Sequence, residues 1–320
     1  MLKGRDYRPI RSHPPGRAAI RNLRYILLKT LLICCARLPL RWVHALGNAV
    51  GYVIYRFPTP LKHATLRNLR TCFPDMNHQE INRLAKRSLQ HTAKTALEMG
   101  KAWLLPLPET LSLVKETEGS ELLEQAMADG KGVILLAPHF GNWEMFGFHI
   151  TKGIASTFLY QPPQSPKLDK LIQQARSRGG ASVVPTTRKG VAALRRALRD
   201  GELIGILPDQ APGRNEGGVF APFFGVRAPT MTLAGKLAGK TGARVLIGYA
   251  HRLPQSGGFR VVIRDADAAI YDERPEVSAS ALNRSVQRLV EGAGPGGVEQ
   301  YQWEYKRFRR LQDGTNLYRQ

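Results

Sequence analysis

The chain has 320 residues, 43% of them hydrophobic and 22% charged, enough apolar material for a full core in one large domain or two small ones. Its 47 Lys+Arg against 25 Asp+Glu give a formal net charge of +22, which excludes an acidic scaffold and points to a polyanionic partner: nucleic acid, anionic lipid or a phosphorylated substrate. Only three cysteines occur, Cys34, Cys35 and Cys72, with no C-x-x-C pair, so neither a disulfide framework nor a cysteine zinc site is expected.

Residues 1–18 carry several arginines and the Pro14-Pro15-Gly16 break and read as a loosely ordered basic arm. Residues 19–58 contain the apolar stretch Tyr25 to Phe57, interrupted by Lys29, Arg37 and Arg41. A clean spanning helix needs about 20 nearly uncharged residues. The segment is therefore read first as an N-terminal helical membrane anchor, with an interfacial amphipathic hairpin and a buried hairpin as alternatives. Residues 59–118 are expected to form a helical segment packed on the domain that follows. Ile81, Leu84, Ala85, Leu89 and Ala93 recur at helical spacing after a cap-like Asp75–Asn77 turn, and Pro106 and Pro108 end the pattern.

From Gly119 short apolar runs alternate with helical patterns. The strands are expected at Val133–Ala137, Ser156–Leu159, Ser182–Val184, Leu203–Leu207, Arg244–Tyr249 and Phe259–Ile263. The helices are expected near Glu121–Ala128, Lys167–Arg178, Gly190–Arg199, Thr230–Thr241 and Ser278–Glu291. The fold class is α/β, a central mixed sheet flanked by helices, over residues 119–312, followed by a tail at 313–320.

Within that domain, Pro138 ends the strand VILLA, so His139 lies in the loop at a strand's carboxyl end, where α/β sheets bind ligands. Residues five apart on a helix point about 140° apart, so His139 and Glu144 cannot share a helix face. With Asn142 as N-cap, Glu144 falls near the second helical position. There it is able to accept the Nδ1 proton of His139 and leave Nε2 as a base for a substrate hydroxyl. A structural hydrogen bond between the two is the plainer alternative, and a metal held by His139, Glu144 and His149 lacks the usual i, i+4 pairing. Asp209 and Gln210 follow LIGIL-Pro208 at a second strand end, beside the His139 edge. Asp209 is a candidate holder of a basic side chain or an acceptor hydroxyl, against a simple Pro-Asp turn. Arg176 and Arg178 each read as a solvated helix face, one of them becoming a candidate for a phosphate or a reacting carbonyl only on the resemblance given below; Arg188 opens the next helix as solvated surface or as a sugar-phosphate site. Phe220, Phe223 and Phe224 read as an aromatic loop for an acyl groove or a bilayer, or else as core. The run GAGPGG (292–297) formally fits a dinucleotide motif, but it follows a helix and contains Pro295. The chain carries neither a G-x-S-x-G elbow nor a nucleic-acid motif.

The run HFGNWE (139–144) resembles the H-x4-D/E motif of glycerolipid and lipid A acyltransferases, most closely the bacterial lipid A late acyltransferases, which add lauroyl or myristoyl chains. NLRTCFPDM (68–76), LPDQ (207–210), VFAPFFGVRAPT (219–230) and EQYQWEYKRFR (299–309) resemble the same family over roughly residues 20–310. The resemblance implies an enzyme anchored in the bacterial inner (plasma) membrane with its catalytic domain facing the cytoplasm. It implies acyl transfer from acyl carrier protein, or from coenzyme A, to a hydroxyl of a lipid A precursor, with no metal or organic cofactor. His139 is then the general base and Glu144 its orienter, and the partners are the carrier protein, the precursor and anionic phospholipid. The GAGPGG run departs from the longer polar stretch that family carries before QYQW. Two other readings remain open: acylation of another glycolipid, such as a phosphatidylinositol mannoside or ornithine lipid, and a non-catalytic basic membrane-surface binder without nucleic acid.

Overall fold

The computed structural model describes residues 15–213 and 217–319. Of the arm expected at 1–18, residues 1–14 lie outside the described residues, and Pro15–Gly16 opens a helix. The helices of the first third are α1 (Pro15–Arg37), α2 (Leu40–Arg56), α3 (Pro60–Cys72), α4 (His78–Leu104) and α5 (Leu107–Leu111). Asn77 caps α4 with a reciprocal box: its side chain accepts from the Gln79 and Glu80 amides, and Glu80 accepts from the Asn77 amide.

The N-terminal segment is a helical hairpin laid against α4. Leu32, Cys35 and Ala36 of α1 and Val43 and His44 of α2 are buried. The α2–α4 approach is close at Gly51, where a Cβ would stand 2.3 Å from the Gln90 Cα. The spanning anchor is thereby corrected: among the described residues no helix is long and apolar enough to cross a membrane. The cause is the interruption by Lys29, Arg37 and Arg41, together with the spending of one face of each helix on α4. The opposite face remains apolar and exposed, at Leu23, Ile26, Leu27, Trp42, Val53 and Phe57 among others.

The remaining elements are β1 (Val114–Glu118), α6 (Ser120–Ala128), β2 (Val133–Leu136), α7 (Trp143–Ile150), β3 (Ser156–Tyr160), α8 (Pro166–Ser177), β4 (Ala181–Pro185), α9 (Arg188–Arg199), β5 (Leu203–Ile206), β6 (Gly218–Phe223), β7 (Val226–Met231), α10 (Leu233–Thr241), β8 (Arg244–Arg252), β9 (Phe259–Asp265) and α11 (Pro275–Glu291). Seven strands form one mixed sheet in the order β1-β9-β8-β2-β5-β3-β4, parallel except for the β8–β9 pair. Both faces are covered, as a parallel sheet requires. Ile134, Leu136, Ile204 and Ile206 pack to one side with Leu194 and Leu237, while Val133, Leu135 and Leu203 pack to the other with Phe146 and Phe148.

Two elements depart from the sequence reading. Strand β1, sequence VKETE, carries a single apolar residue and is an edge strand paired only with β9, exposed for most of its length. The aromatic loop is instead a separate hairpin, β6–β7, joined by Phe224 and Gly225 with φ of 47° and 77°. Two positive φ values in a two-residue loop are the signature of the turn whose twist matches a hairpin. Pro222 and Pro229 are tolerated because a two-stranded ribbon consists of edges. Phe223 and Phe224 are buried, in edge contact with each other and, for Phe224, with Phe73 and Trp303. They are core, not an acyl groove. Phe220 is half-buried and sits beneath the Arg310 guanidinium.

Candidate functional site

Strands β2 and β5 are neighbours in register, with Leu136 opposite Ile206. Each is followed by an apolar residue and a proline, and then by a polar residue: Ala137-Pro138-His139 and Leu207-Pro208-Asp209. Both polar residues therefore stand three positions beyond one register pair, at the carboxyl edge of the sheet. The two side chains meet. The Asp209 carboxylate accepts the His139 backbone amide through Oδ2 at 2.8 Å and the His139 ring through Oδ1, with Nδ1 also at 2.8 Å. Burial would raise the Asp209 carboxyl. The adjacent His139 ring and the hydrogen bonds from His139 outweigh it and hold the group below its ordinary range. A carboxylate only accepts, so Nδ1 carries the imidazole proton and Nε2 presents its lone pair to the cleft. There the Gln210 side-chain amide lies 3.2 Å away and donates to it.

Glu144 is not the partner of His139, contrary to the sequence expectation. Asn142 does cap α7, its Oδ1 accepting from the Met145 amide at 3.0 Å, and Glu144 does stand at the second helical position. Its carboxylate instead receives Arg176 from the last turn of α8, at 2.5 Å to Nη2 and 3.2 Å to Nε. This two-pronged pair is mostly buried. The physical reason is reach: Asp209 already occupies Nδ1 from the neighbouring strand, and Trp143 stands edge-on to the His139 ring with centroids 4.9 Å apart.

Of the other expected residues, Arg176 and Arg188 line the cleft with His139 and Gln210. Arg178 does not; its guanidinium donates to the carbonyls of Leu105 and of Ala102, the latter at 3.0 Å, closing the end of α4. Asn142 is fully buried as the cap and is no substrate ligand. Phe220, Phe223 and Phe224 lie outside the cleft wall. His149 turns away from His139 to Thr117, 2.9 Å distant, so these residues do not converge on a metal.

The loop carrying His139 is clamped from three sides. Phe140 stacks on Tyr249 of β8, with centroids 4.0 Å apart and planes inclined by 6°. The Gln302 amide donates to the His139 carbonyl, and the Gly141 amide to the Gln300 carbonyl, both at 3.0 Å. Gly141 has φ 60°, and a Cβ there would lie 2.0 Å from the Ala250 oxygen, so only glycine fits. The QYQW segment is thus a brace for the histidine loop, and Tyr301 of that segment lies against Asp209.

Beneath the loop is a buried ionic network that sequence reasoning missed. Glu98 of α4 receives Arg252 of β8 at 2.6 and 2.7 Å, His44 of α2 at 2.7 Å and the Asn142 side-chain NH2 at 2.8 Å. Arg252 also donates to the Gly141 carbonyl at 3.2 Å and to the Thr95 hydroxyl. Burial raises the Glu98 carboxyl, but Arg252 and His44 overcome it and keep the group strongly acidic. In the linear sequence Glu98 and Arg252 resemble solvated charges; only tertiary pairing reveals them.

The cleft itself encloses about 1610 Å³ and runs from α4 past His139 to α9 and α10. Arg176, Arg188, Arg195 and Lys236 stand on its walls. Glu304 stands there too, its carboxyl raised by burial and accepting the Thr92 hydroxyl at 2.9 Å. A base with a fixed tautomer opening into a wide, cation-lined cleft is suited to activating a hydroxyl on an anionic substrate.

The family model described as "Bacterial lipid A biosynthesis acyltransferase" matches residues 14–310. Three similar relatives are the lipid A biosynthesis lauroyltransferase of Escherichia coli (strain K12), a lipid A biosynthesis acyltransferase of Haemophilus influenzae, and the lipid A biosynthesis palmitoleoyltransferase of Escherichia coli (strain K12). The first is 26% identical over 87% of this chain and 89% of its own length. The second is 28% identical over 90% and 88%, and the third 24% over 85% and 87%.

Proposed function

Starting from the fact that the chain belongs to the bacterial lipid A biosynthesis acyltransferase family, we propose that it transfers a fatty acyl chain from a thioester of acyl carrier protein, or of coenzyme A, to a hydroxyl of a lipid A precursor. The observation that carries the reading is the His139–Asp209 pair, held at 2.8 Å, with Nε2 facing the cation-lined cleft.

In this reading Nε2 of His139 removes the acceptor hydroxyl proton as the oxygen attacks the thioester carbonyl carbon. Asp209 steadies the resulting imidazolium, in the manner of a triad's carboxylate, with the substrate supplying the nucleophile. Negative charge collects on the former carbonyl oxygen. Arg176, fixed by Glu144 in the same cleft, supplies positive charge for it. Collapse breaks the carbon–sulfur bond, and the thiolate leaves with the proton from His139. The products are an ester and a free thiol, and the base is regenerated. Arg188, Arg195 and Lys236 suit the phosphates of the acceptor or of the donor's arm.

The substrates are lipids, and the exposed apolar face of α1–α2 supports docking onto a membrane surface. Leu27, Trp42, Val53 and Phe57 would enter the headgroup boundary, with Lys29, Arg41 and Arg56 above it on anionic lipid. The test incubates the protein with acyl carrier thioester and lipid A precursor and reads the mass of the lipid. An acyl-sized gain that vanishes in His139→Ala is expected. No gain with any lipid A precursor, while another glycolipid is acylated, overturns the acceptor assignment. Co-flotation with anionic vesicles, lost on replacing Trp42 and Phe57 by Ser, tests the surface reading.

A further inference from the structure

Helix α4 orders the groups along the cleft. Thr92 donates to the Glu304 carboxylate, Thr95 lies 3.4 Å from the Gly141 carbonyl in the histidine loop, and the Ala102 carbonyl receives Arg178, two residues beyond Arg176. At 1.5 Å per residue, Thr92 and Ala102 stand about 15 Å apart. The base is therefore in the middle, with Glu304 toward one end of α4 and Arg176 toward the other. Glu304 is out of character with its surroundings. The other carboxylate on the cleft wall, Glu144, holds Arg176, and the remaining charged side chains there are Arg188, Arg195 and Lys236. Among the described residues Glu304 holds no Lys or Arg; its neighbours are Thr92, the Gln302 side chain and, within reach of its charge, the His139 ring. Gln302 has only its NH2 to offer a carboxylate. Its Oε1 is then the outward end, and that oxygen is buried with no hydrogen-bond partner among the described residues. Two acceptors thus adjoin the base, and neither is taken by a cation. A buried acceptor left unsatisfied is costly, and a substrate that brings hydroxyl or amide hydrogens removes the cost.

We infer that Glu304 and Gln302 form a subsite for an uncharged hydrogen-bond donor of the acceptor, a sugar hydroxyl or an amide N–H, and that Glu304 is a specificity-determining residue for the acceptor. The inference rests on the acyl transfer proposed above. In that reaction negative charge gathers on the thioester carbonyl oxygen, and a carboxylate beside it would oppose that charge. The thioester therefore belongs at the Arg176 end and the acceptor at the Glu304 end. The same carboxylate repels phosphate, so the hydrogens it accepts belong to uncharged parts of the acceptor.

The experiment measures acyl transfer by the full-length protein, Glu304→Gln and Glu304→Ala, varying a lipid A precursor and an acyl carrier thioester one at a time with the other saturating. Hydrogen bonds to a charged group are worth enough to change binding by about 10–100-fold. Glu304→Ala is expected to raise KM for the precursor by about that factor, with kcat and the thioester KM within about threefold of the parent. Glu304→Gln, which replaces one acceptor oxygen by a donor, should move the same constant in the same direction with an unchanged Tm. Binding of the precursor alone, read from the fluorescence of Trp103 and Trp143 on the cleft wall, should weaken in step. Should Glu304→Ala fail to fold, Glu304→Gln decides. A rise confined to the thioester KM assigns the subsite to the acyl donor's amides and overturns the inference. So does a joint fall of kcat and Tm with both KM values unchanged, which would make Glu304 a brace between α4 and the QYQW segment, and so do constants equal to the parent's. All three leave the acyl-transfer reading intact. Absence of transfer by the parent to every precursor overturns that reading itself, and this inference with it.

Discussion

Asp209→Asn separates the two candidate orienters of the histidine. The carboxylate accepts two hydrogens at once, the His139 amide at Oδ2 and the ring Nδ1–H at Oδ1. An asparagine offers one acceptor and one donor. The backbone amide is a fixed donor and claims the oxygen. The new NH2 then faces Nδ1, which satisfies it only by giving up its proton. The imidazole proton moves to Nε2, and the lone pair that faced the cleft is lost. In a serine-protease triad the same change costs about 10⁴ in rate. Here the expected loss is about 10²–10⁴, or roughly 3–5 kcal/mol of barrier. The assay is the initial rate of acyl transfer to a lipid A precursor, with thermal unfolding to confirm the fold. Glu144→Gln, tested beside it, keeps the tautomer and weakens only the hold on Arg176, with an expected loss of about 10-fold. The reasoning is refuted if Asp209→Asn stays within a few-fold of the parent while Glu144→Gln abolishes transfer; Glu144 would then orient the base after all.

Arg176→Lys, which cannot grip Glu144 with two prongs, should lower transfer by about 10–100-fold with little change in Tm; an unaltered rate would remove Arg176 from the reaction. Glu98→Ala leaves Arg252 buried without its counter-charge, and urea unfolding should show a loss of about 3–5 kcal/mol; a loss below about 1 kcal/mol would mean the network carries little. Burial lowers His251 to about 4, aided by Arg260 and Arg252. The unfolded chain then binds this proton first, below its ordinary value near 6.5. Stability should therefore fall as pH drops from about 6.5 to about 4 and level off below that. His251→Gln should flatten the Tm curve across that window, and an identical slope would refute the assignment. Gly141→Ala, with no room before the Ala250 oxygen, should abolish transfer; retention of activity would show that the loop yields.

The sheet was legible in the sequence because its buried strands are short apolar runs closed by turn residues. VILLA and LIGIL are each stopped by a proline, and that repetition already set His139 and Asp209 on one edge. What escaped was their partnership. Seventy residues separate them, whereas Glu144 is five away, so proximity in the chain favoured the wrong carboxylate. The α7 cap at Asn142 was readable because capping is local chemistry. The β6–β7 hairpin was not, since its turn puts Phe224 at a positive φ, a conformation a bulky residue seldom takes. The charges of Lys29, Arg37 and Arg41 already spoke against a spanning helix; the half of each helix that packs on α4 could not be seen before the fold was known.

The contact between His44 and Glu98 makes the hairpin more than a tether. A shortened protein beginning after Phe57 would lose the ring that closes the network under Gly141 and Asn142, and would bare the side of α4 against which Leu32 and Val43 now rest. A version with a less apolar surface is therefore better sought by replacing the outer residues of α1 and α2, Leu27 or Val53 for instance, with polar ones than by cutting the helices away. Whatever the hairpin meets, it does so packed on α4, the helix whose Glu98 braces the His139 loop.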